Sequence, residues 1–200
     1  MNHIQYLSKD KVLSKIISKA KPIELKKENK LYLALCHSIM SQQLSTKVAD
    51  ILRERFMELY KGKTPTPEMI VATPFTDLKK IGLSTSKIHY MFNVCDYFTS
   101  NNLTDKMLHA LSDEAFIEMM TTIKGVGRWT AEMILMFSMG REDVFPVDDL
   151  GIQQQICRLY KIDTTVKAHM KMEMEKVASK WKPYRTYASM YLWAAKDSED

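Results

Sequence analysis

Residues 121–152 read TTIKGVGRWTAEMILMFSMGREDVFPVDDLGI. Gly125 and Gly127 flank Val126 and stand just ahead of a run of helical period. Glycines let a chain reverse sharply and bring bare backbone to the surface. The helix that follows aims its first N–H groups at the turn, which makes an anion site. Val126 would plug the gap between the two helices. Ala131, four residues past the second glycine, would let them approach closely. A lone Gly-x-Gly also serves as a plain helical corner with no ligand. The longer pattern ending in Ala131 favours a phosphate held by the amides around Gly125 and Gly127, and with it DNA. Contacts of this kind position a nucleic-acid backbone without reading its sequence.

The same stretch closes on two carboxylates, Asp148 and Asp149, after the apolar run Val144-Phe145-Pro146-Val147. An aspartate at a helix start is a common cap, because its oxygens accept backbone N–H bonds. Downstream of an element that holds DNA, a second role opens. Such a carboxylate can stabilise positive charge developing at a sugar C1′.

The rest of the chain sets limits. Two hundred residues suffice for one compact unit or two small helical lobes. The formal charge of +5 permits an acidic partner without requiring one. Cys36, Cys95 and Cys157 are odd in number and far apart, with no metal-ligand spacing and no disulfide framework. Free thiols in a reducing cytoplasm are expected, with the protein at the nucleoid when it acts on DNA. The N-terminus carries a lysine every few residues from Lys9 onward and no apolar signal core. No run approaches the roughly 18 apolar residues of a membrane span.

The periodicity is helical almost throughout, and no segment alternates with period two. The pattern predicts helices over 9–19, 31–43, 45–59 and 84–98, short ones after Pro67 and Pro74, then 104–110, 113–120, 150–160, 166–180 and 184–196. In the fourth-decade helix Val48, Ile51, Leu52, Phe56 and Leu59 are expected to face inward. Thr66 and Pro67 suit a cap and a first helical position, and Gly82 a stop. His37 and Cys36 lie in an apolar helix and are expected to pack there. The lysines at 167, 171, 176, 180 and 182 read as a solvated face. The architecture is all-α, about ten helices by element-length priors.

At this point the sequence resembles the helix–hairpin–helix, Gly/Pro-rich, aspartate-containing DNA glycosylases, and within them the 3-methyladenine DNA glycosylase II type. Besides residues 121–152, the segments Ile39-Met-Ser-Gln-Gln-Leu-Ser45, Ile81-Gly-Leu-Ser84 with Lys87, and Trp181-Lys-Pro-Tyr-Arg185 with Tyr187, Ala188, Leu192 and Trp193 resemble signatures of that family in the same order. The resemblance implies a two-lobed helical fold with the active-site cleft between the lobes. The central lobe would take about 30–140, with the hairpin at 121–135; the second would take the N-terminal segment and about 145–200. By the family pattern Asp-x-x-Ile, the catalytic carboxylate is Asp149, followed by Ile152, with Asp148 as its neighbour at the substrate. Gly125, Val126, Gly127, Arg128 and Thr130 would meet DNA. Gln42, Gln43, Leu44 and Ser45 would lie near the minor groove, where the first three are candidates to fill the hole left by a flipped base.

Trp129 and Trp193 resemble aromatic pocket positions, and Met133 stands where some relatives add an aromatic. Indole faces attract a cationic base by up to ~2 kcal/mol when desolvated. Core packing is the alternative for any tryptophan, and the better one for Trp181. Bifunctional relatives carry a Schiff-base lysine where this chain has Trp129, so a monofunctional enzyme without lyase chemistry is expected. Carbonyls of Thr121, Ile123 and Val126 resemble the family's site for a monovalent cation such as Na+ or K+. No other cofactor is expected, and neither the iron–sulfur loop of some relatives nor the N-terminal β-domain of longer members is expected. The expected partner is double-stranded DNA with damaged bases, the expected state a monomer, with no membrane.

The implied activity is hydrolysis of the N-glycosidic bond of alkylated, cationic purines such as 3-methyladenine and 7-methylguanine, after base flipping. Two alternatives stay open: a glycosylase for neutral lesions such as ethenoadenine or hypoxanthine, and a helix–hairpin–helix protein that binds DNA without catalysis.

Overall fold

The computed structural model describes residues 2–197. Thirteen α-helices and no strand occur among the described residues. In chain order they are α1 His3–Leu7, α2 Lys11–Ile17, α3 Leu31–Ser41, α4 Thr46–Glu58, α5 Pro67–Ala72, α6 Phe75–Lys80, α7 Thr85–Ser100, α8 Asp105–His109, α9 Asp113–Thr121, α10 Arg128–Phe137, α11 Leu150–Tyr160, α12 Lys167–Ser179 and α13 Arg185–Asp197. The all-α expectation holds. The five-residue α1 carries too little period to be read from sequence; Asn2 caps it by accepting from the Gln5 amide.

Local chemistry explains the starts and stops. Ser45, Thr66, Ser84, Thr104, Ser112 and Asp149 each cap a helix by accepting a backbone N–H. Pro67 opens α5, where its missing N–H costs nothing.

The chain divides into two units, with one boundary between Lys27 and Glu28 and the other inside α10. The continuous unit, Glu28–Ile134, is centred on α7, against which α3, α5 and α6 pack. Ile88, Met91, Val94, Cys95 and Phe98 form the buried side of α7. Cys36 of α3 meets Cys95 of α7 at 3.9 Å between sulfurs, both buried as free thiols. That contact and burial push the Cys36 thiol well up. Burial, with Arg53 nearby, holds the His37 imidazole at about 4. The α4 expectation needs correction. Ala49, Leu52 and Phe56 are its buried seam, whereas Val48, Ile51 and Leu59 stay exposed. The five apolar positions span a wider arc than the narrow strip that α4 turns inward.

The discontinuous unit, Met1–Lys27 with Leu135–Asp200, joins the chain's two ends. Leu7, Leu13 and Ile17 share one apolar cluster with Ile152, Ile156, Met170, Met174, Trp181, Tyr191 and Leu192. Asp10 ties this cluster together. One carboxylate oxygen caps α2 through the Val12 and Leu13 amides; the other accepts from Tyr160 Oη at 2.9 Å and Trp181 Nε1 at 3.1 Å. Burial opposes the charge on Asp10, but these four donors outweigh it and hold the carboxyl below its usual range. Trp181 is thus a core residue, as packing favoured.

Candidate functional site

The hairpin belongs to the continuous unit. Thr122 ends α9, the Val126 amide donates to the Ile123 carbonyl at 3.0 Å, and the Gly127 carbonyl accepts from Ala131 to open α10. Gly125 has φ +105°, and a Cβ there would stand 2.2 Å from Tyr90 Cγ. Only glycine fits. Gly127 differs: a Cβ there would meet nothing within 4 Å, so its bare backbone faces open space. Val126 and Ala131 are buried. From α7, Asn93 Nδ2 donates to the Lys124 carbonyl at 3.0 Å, bracing the turn.

Around this turn the candidate side chains separate. Trp129 is 40% exposed on the first turn of α10. Met133, one turn on, is only 9% exposed. Arg128 is engaged within the protein, with Nε on Glu132 and its terminal nitrogens on Glu114. Thr130 is 3% exposed, so its side chain does not offer the surface contact expected of it; Ala131 beside it marks the same buried side of α10.

The corner between α3 and α4 lies in the same unit. Gln42 Nε2 reaches the Gly125 carbonyl at 3.5 Å, which ties the corner to the hairpin. Lys87 of α7 donates its ammonium to the Met40 and Gln42 carbonyls at 2.9 and 2.8 Å. Partial burial lowers its pKa. With these carbonyls held, Gln43 takes the left-handed region at φ +59° and is exposed, as is Leu44. Ser45 is the α4 cap.

The carboxylates belong to the discontinuous unit. Asp149 is the N-cap of α11: Oδ1 accepts the Ile152 amide at 2.8 Å. The same oxygen accepts Trp193 Nε1 at 2.9 Å from α13. The cap of α11 therefore falls on Asp149 and not on Asp148. Trp193 in turn stacks on Phe137, with centroids 5.8 Å apart. Gly151 leaves the room this needs, since a Cβ there would stand 3.1 Å from Asp149 Oδ1 and 3.2 Å from Trp193 Nε1. Asp148 is exposed and ion-paired with Lys171 of α12, which is half-buried where the lysines at 167, 176, 180 and 182 are exposed.

The approach to Asp149 is held by side-chain bonds to the backbone and by an ion pair. Thr186 Oγ1 donates to the Arg141 carbonyl and accepts the Val144 amide. Arg185 holds Asp143 in a two-bond fork at 2.7 and 2.9 Å. Gln153 Nε2 donates to the Val147 carbonyl at 2.8 Å. Arg185 stands in the C-terminal signature, but the partners of Arg185 and Thr186 lie over forty positions away and are invisible to a local reading.

Residues 36–183 match the family model of the HhH-GPD superfamily of base excision DNA repair proteins. A curated relative, DNA-3-methyladenine glycosylase 1 of Schizosaccharomyces pombe, is 36% identical over 92% of this chain and 80% of its own length. Among solved structures, a 3-methyladenine DNA glycosylase of the same yeast in complex with abasic DNA aligns with a TM-score of 0.83 at 33% identity, covering 96% of this chain and 95% of that one. A DNA-3-methyladenine glycosidase from Bacillus halodurans aligns with a TM-score of 0.82 at 33% identity, covering 98% and 89%. With its glycine hairpin and its helix-capping aspartate, the chain belongs to the HhH-GPD superfamily of base excision DNA repair proteins.

Proposed function

We infer that this protein is a DNA glycosylase of base excision repair that releases alkylated purines, and that Asp149 is its catalytic carboxylate. The observation that carries the reading is the Asp149 carboxylate fixed by two N–H donors at the start of α11, in a chain whose relatives are named DNA-3-methyladenine glycosylases. The amides around Gly125 and Gly127 hold a DNA phosphate. Gln43 and Leu44, exposed at their corner, fill the gap in the duplex, while Gln42 braces that corner against the hairpin. A 3-methyladenine or 7-methylguanine base is already a cation and leaves readily, taking the bonding electrons of the C1′–N bond. Ionised Asp149 stabilises the oxocarbenium-like sugar, and water adds at C1′. Free base and an abasic site result.

Trp129 occupies the position of the lyases' amine, so the abasic strand stays intact. It also offers an exposed indole face to the cationic base. Carbonyls at Thr121, Ile123 and Val126, at the helix end and turn ahead of α10, would supply the hard oxygens that Na+ or K+ takes. Such an ion would screen the DNA phosphate there. The enzyme works as a monomer on double-stranded DNA in the compartment that holds the chromosome. No helix among the described residues is long and apolar enough to cross a membrane.

The test is single-turnover base release from duplexes carrying 7-methylguanine, 3-methyladenine, ethenoadenine or hypoxanthine. Wild type releases the two cationic bases, leaves strands that break only on heating in alkali, and traps no covalent adduct with borohydride. Asp149→Asn binds an abasic duplex as wild type does and releases nothing. Release at near-normal rate by Asp149→Asn would overturn the assignment. No release from any duplex would leave a DNA-binding protein without catalysis.

A further inference from the structure

Trp193 offers two separable things, a flat ring and an N–H. Its ring stacks on Phe137, and its Nε1 lies 2.9 Å from Asp149 Oδ1. An indole nitrogen is a donor only, so its single hydrogen is committed to the carboxylate and is not offered to a base. The oxygen it reaches already accepts the Ile152 amide at 2.8 Å. Two donors from two helices, α11 and α13, converge on one oxygen, and two directions fix the carboxylate plane where one would let it turn. Gly151 is the third part. It is the second residue of α11, and a Cβ there would crowd both Asp149 Oδ1 and the Trp193 ring edge, at 3.1 and 3.2 Å.

Resting on the assignment of Asp149 to the sugar, we propose that Trp193 is a positioning residue whose N–H orients the Asp149 carboxylate for the transition state, and that Gly151 is the spacer that lets it do so. The selection of the base then falls to residues other than the Trp193 edge. A carboxylate aimed in advance needs no reorganisation as charge develops on the sugar, and this is the advantage a fixed oxygen has over a mobile one. A donor to a charged acceptor is worth more than a neutral pair, so its loss reads as roughly 10- to 100-fold in the rate of the chemical step.

The experiment uses the whole chain and a 7-methylguanine duplex. Trp193→Phe keeps a flat aromatic ring against Phe137 and removes only the donor. Gly151→Ala keeps the donor and crowds it, while alanine favours the helix. Each variant is expected to lower the saturating single-turnover rate by roughly 10- to 100-fold. Binding of an abasic-site duplex should stay within about twofold, since the hydrogen bond serves the chemical step. If Trp193→Phe and Gly151→Ala both keep wild-type rates while Asp149→Asn is inactive, the positioning role is overturned and the ring alone matters. A rate loss matched by an equal loss of binding overturns it too. If Asp149→Asn itself remains active, the failure lies in the assignment of Asp149.

Discussion

Gly125 and Gly127 stand two residues apart and are glycine for different reasons. Gly125 holds φ +105° with the Tyr90 ring where its Cβ would be. A side chain there meets both the steric cost of the left-handed region, ~1–2 kcal/mol, and a clash that only movement of Tyr90 relieves. Gly125→Ala should therefore unfold at lower temperature and bind DNA poorly. Gly127 has open space on its Cβ side and no positive φ. Gly127→Ala should fold as well as wild type, or better by ~0.4–1 kcal/mol from reduced freedom of the unfolded chain, and yet bind duplex DNA more weakly because a methyl now stands where phosphate approaches. Melting temperature and duplex affinity measured side by side check this. Equal affinity for Gly127→Ala and wild type would remove Gly127 from the phosphate site.

Among elements, α7 does what its sequence announces least. Its period gives Ile88, Met91, Phe92, Cys95 and Phe98 as the inward side; the structure buries all of these but Phe92, which is half-buried, and adds Val94. Its polar residues point to the α3–α4 corner and the hairpin: Lys87 holds the Met40 and Gln42 carbonyls, Tyr90 lies over Gly125, and Asn93 holds Lys124. The last turn of α3 leaves carbonyls without helical donors, and the Lys87 ammonium supplies charge-assisted ones. Lys87→Met keeps the length and apolar stem of the side chain but cannot donate. It should cost about 2 kcal/mol of stability. The Gln43 corner should also become more open to hydrogen exchange and bind abasic DNA more weakly, with Lys87→Arg falling between the two. Unchanged exchange at Gln42–Leu44 in Lys87→Met would show that the corner holds itself.

These same residues show how far the chain could be read in advance. Caps and turns work within four positions, so Ser45, Thr66, Ser84, Gly125 and Asp149 were legible as local chemistry. The helical period and the family signatures carried the all-α architecture. What escaped was pairing at a distance. Trp193 could be read as an aromatic wall, but its bond to Asp149 spans 44 positions. On α4, the apolar count was right and the buried arc was too wide, because period alone does not say how much of a stripe finds a partner. Arg128 and Thr130 follow the hairpin motif in sequence, but Glu114, fourteen positions upstream, takes the first and burial takes the second.

At the scale of the molecule, the unit that carries Asp149 is assembled from both ends of the chain, and Asp10 is where they are joined. Its bonds to Tyr160 and Trp181 span 150 and 171 positions. Contacts of such separation pay a large loop-closure entropy before they return anything. They therefore depend on the apolar cluster of Leu7, Leu13 and Ile17 with Trp181 and Tyr191 forming around them. Asp10→Asn keeps the size of the side chain but puts an NH2 against donors that need an acceptor. It should destabilise the folded protein by about 3 kcal/mol at neutral pH, a large share of the ~5–15 kcal/mol of a typical domain. The pH dependence has a definite sign. The carboxyl of Asp10 is lowered in the folded state, so its contribution is fully present above the unfolded value of 3.8 and is lost as pH falls through the lower folded value. Urea unfolding of wild type and Asp10→Asn across pH should show a constant gap above about pH 5 that narrows in acid as wild type loses its advantage. A gap that stays constant down to pH 3, or is absent at pH 7, would mean that the apolar cluster joins the two ends without the carboxylate.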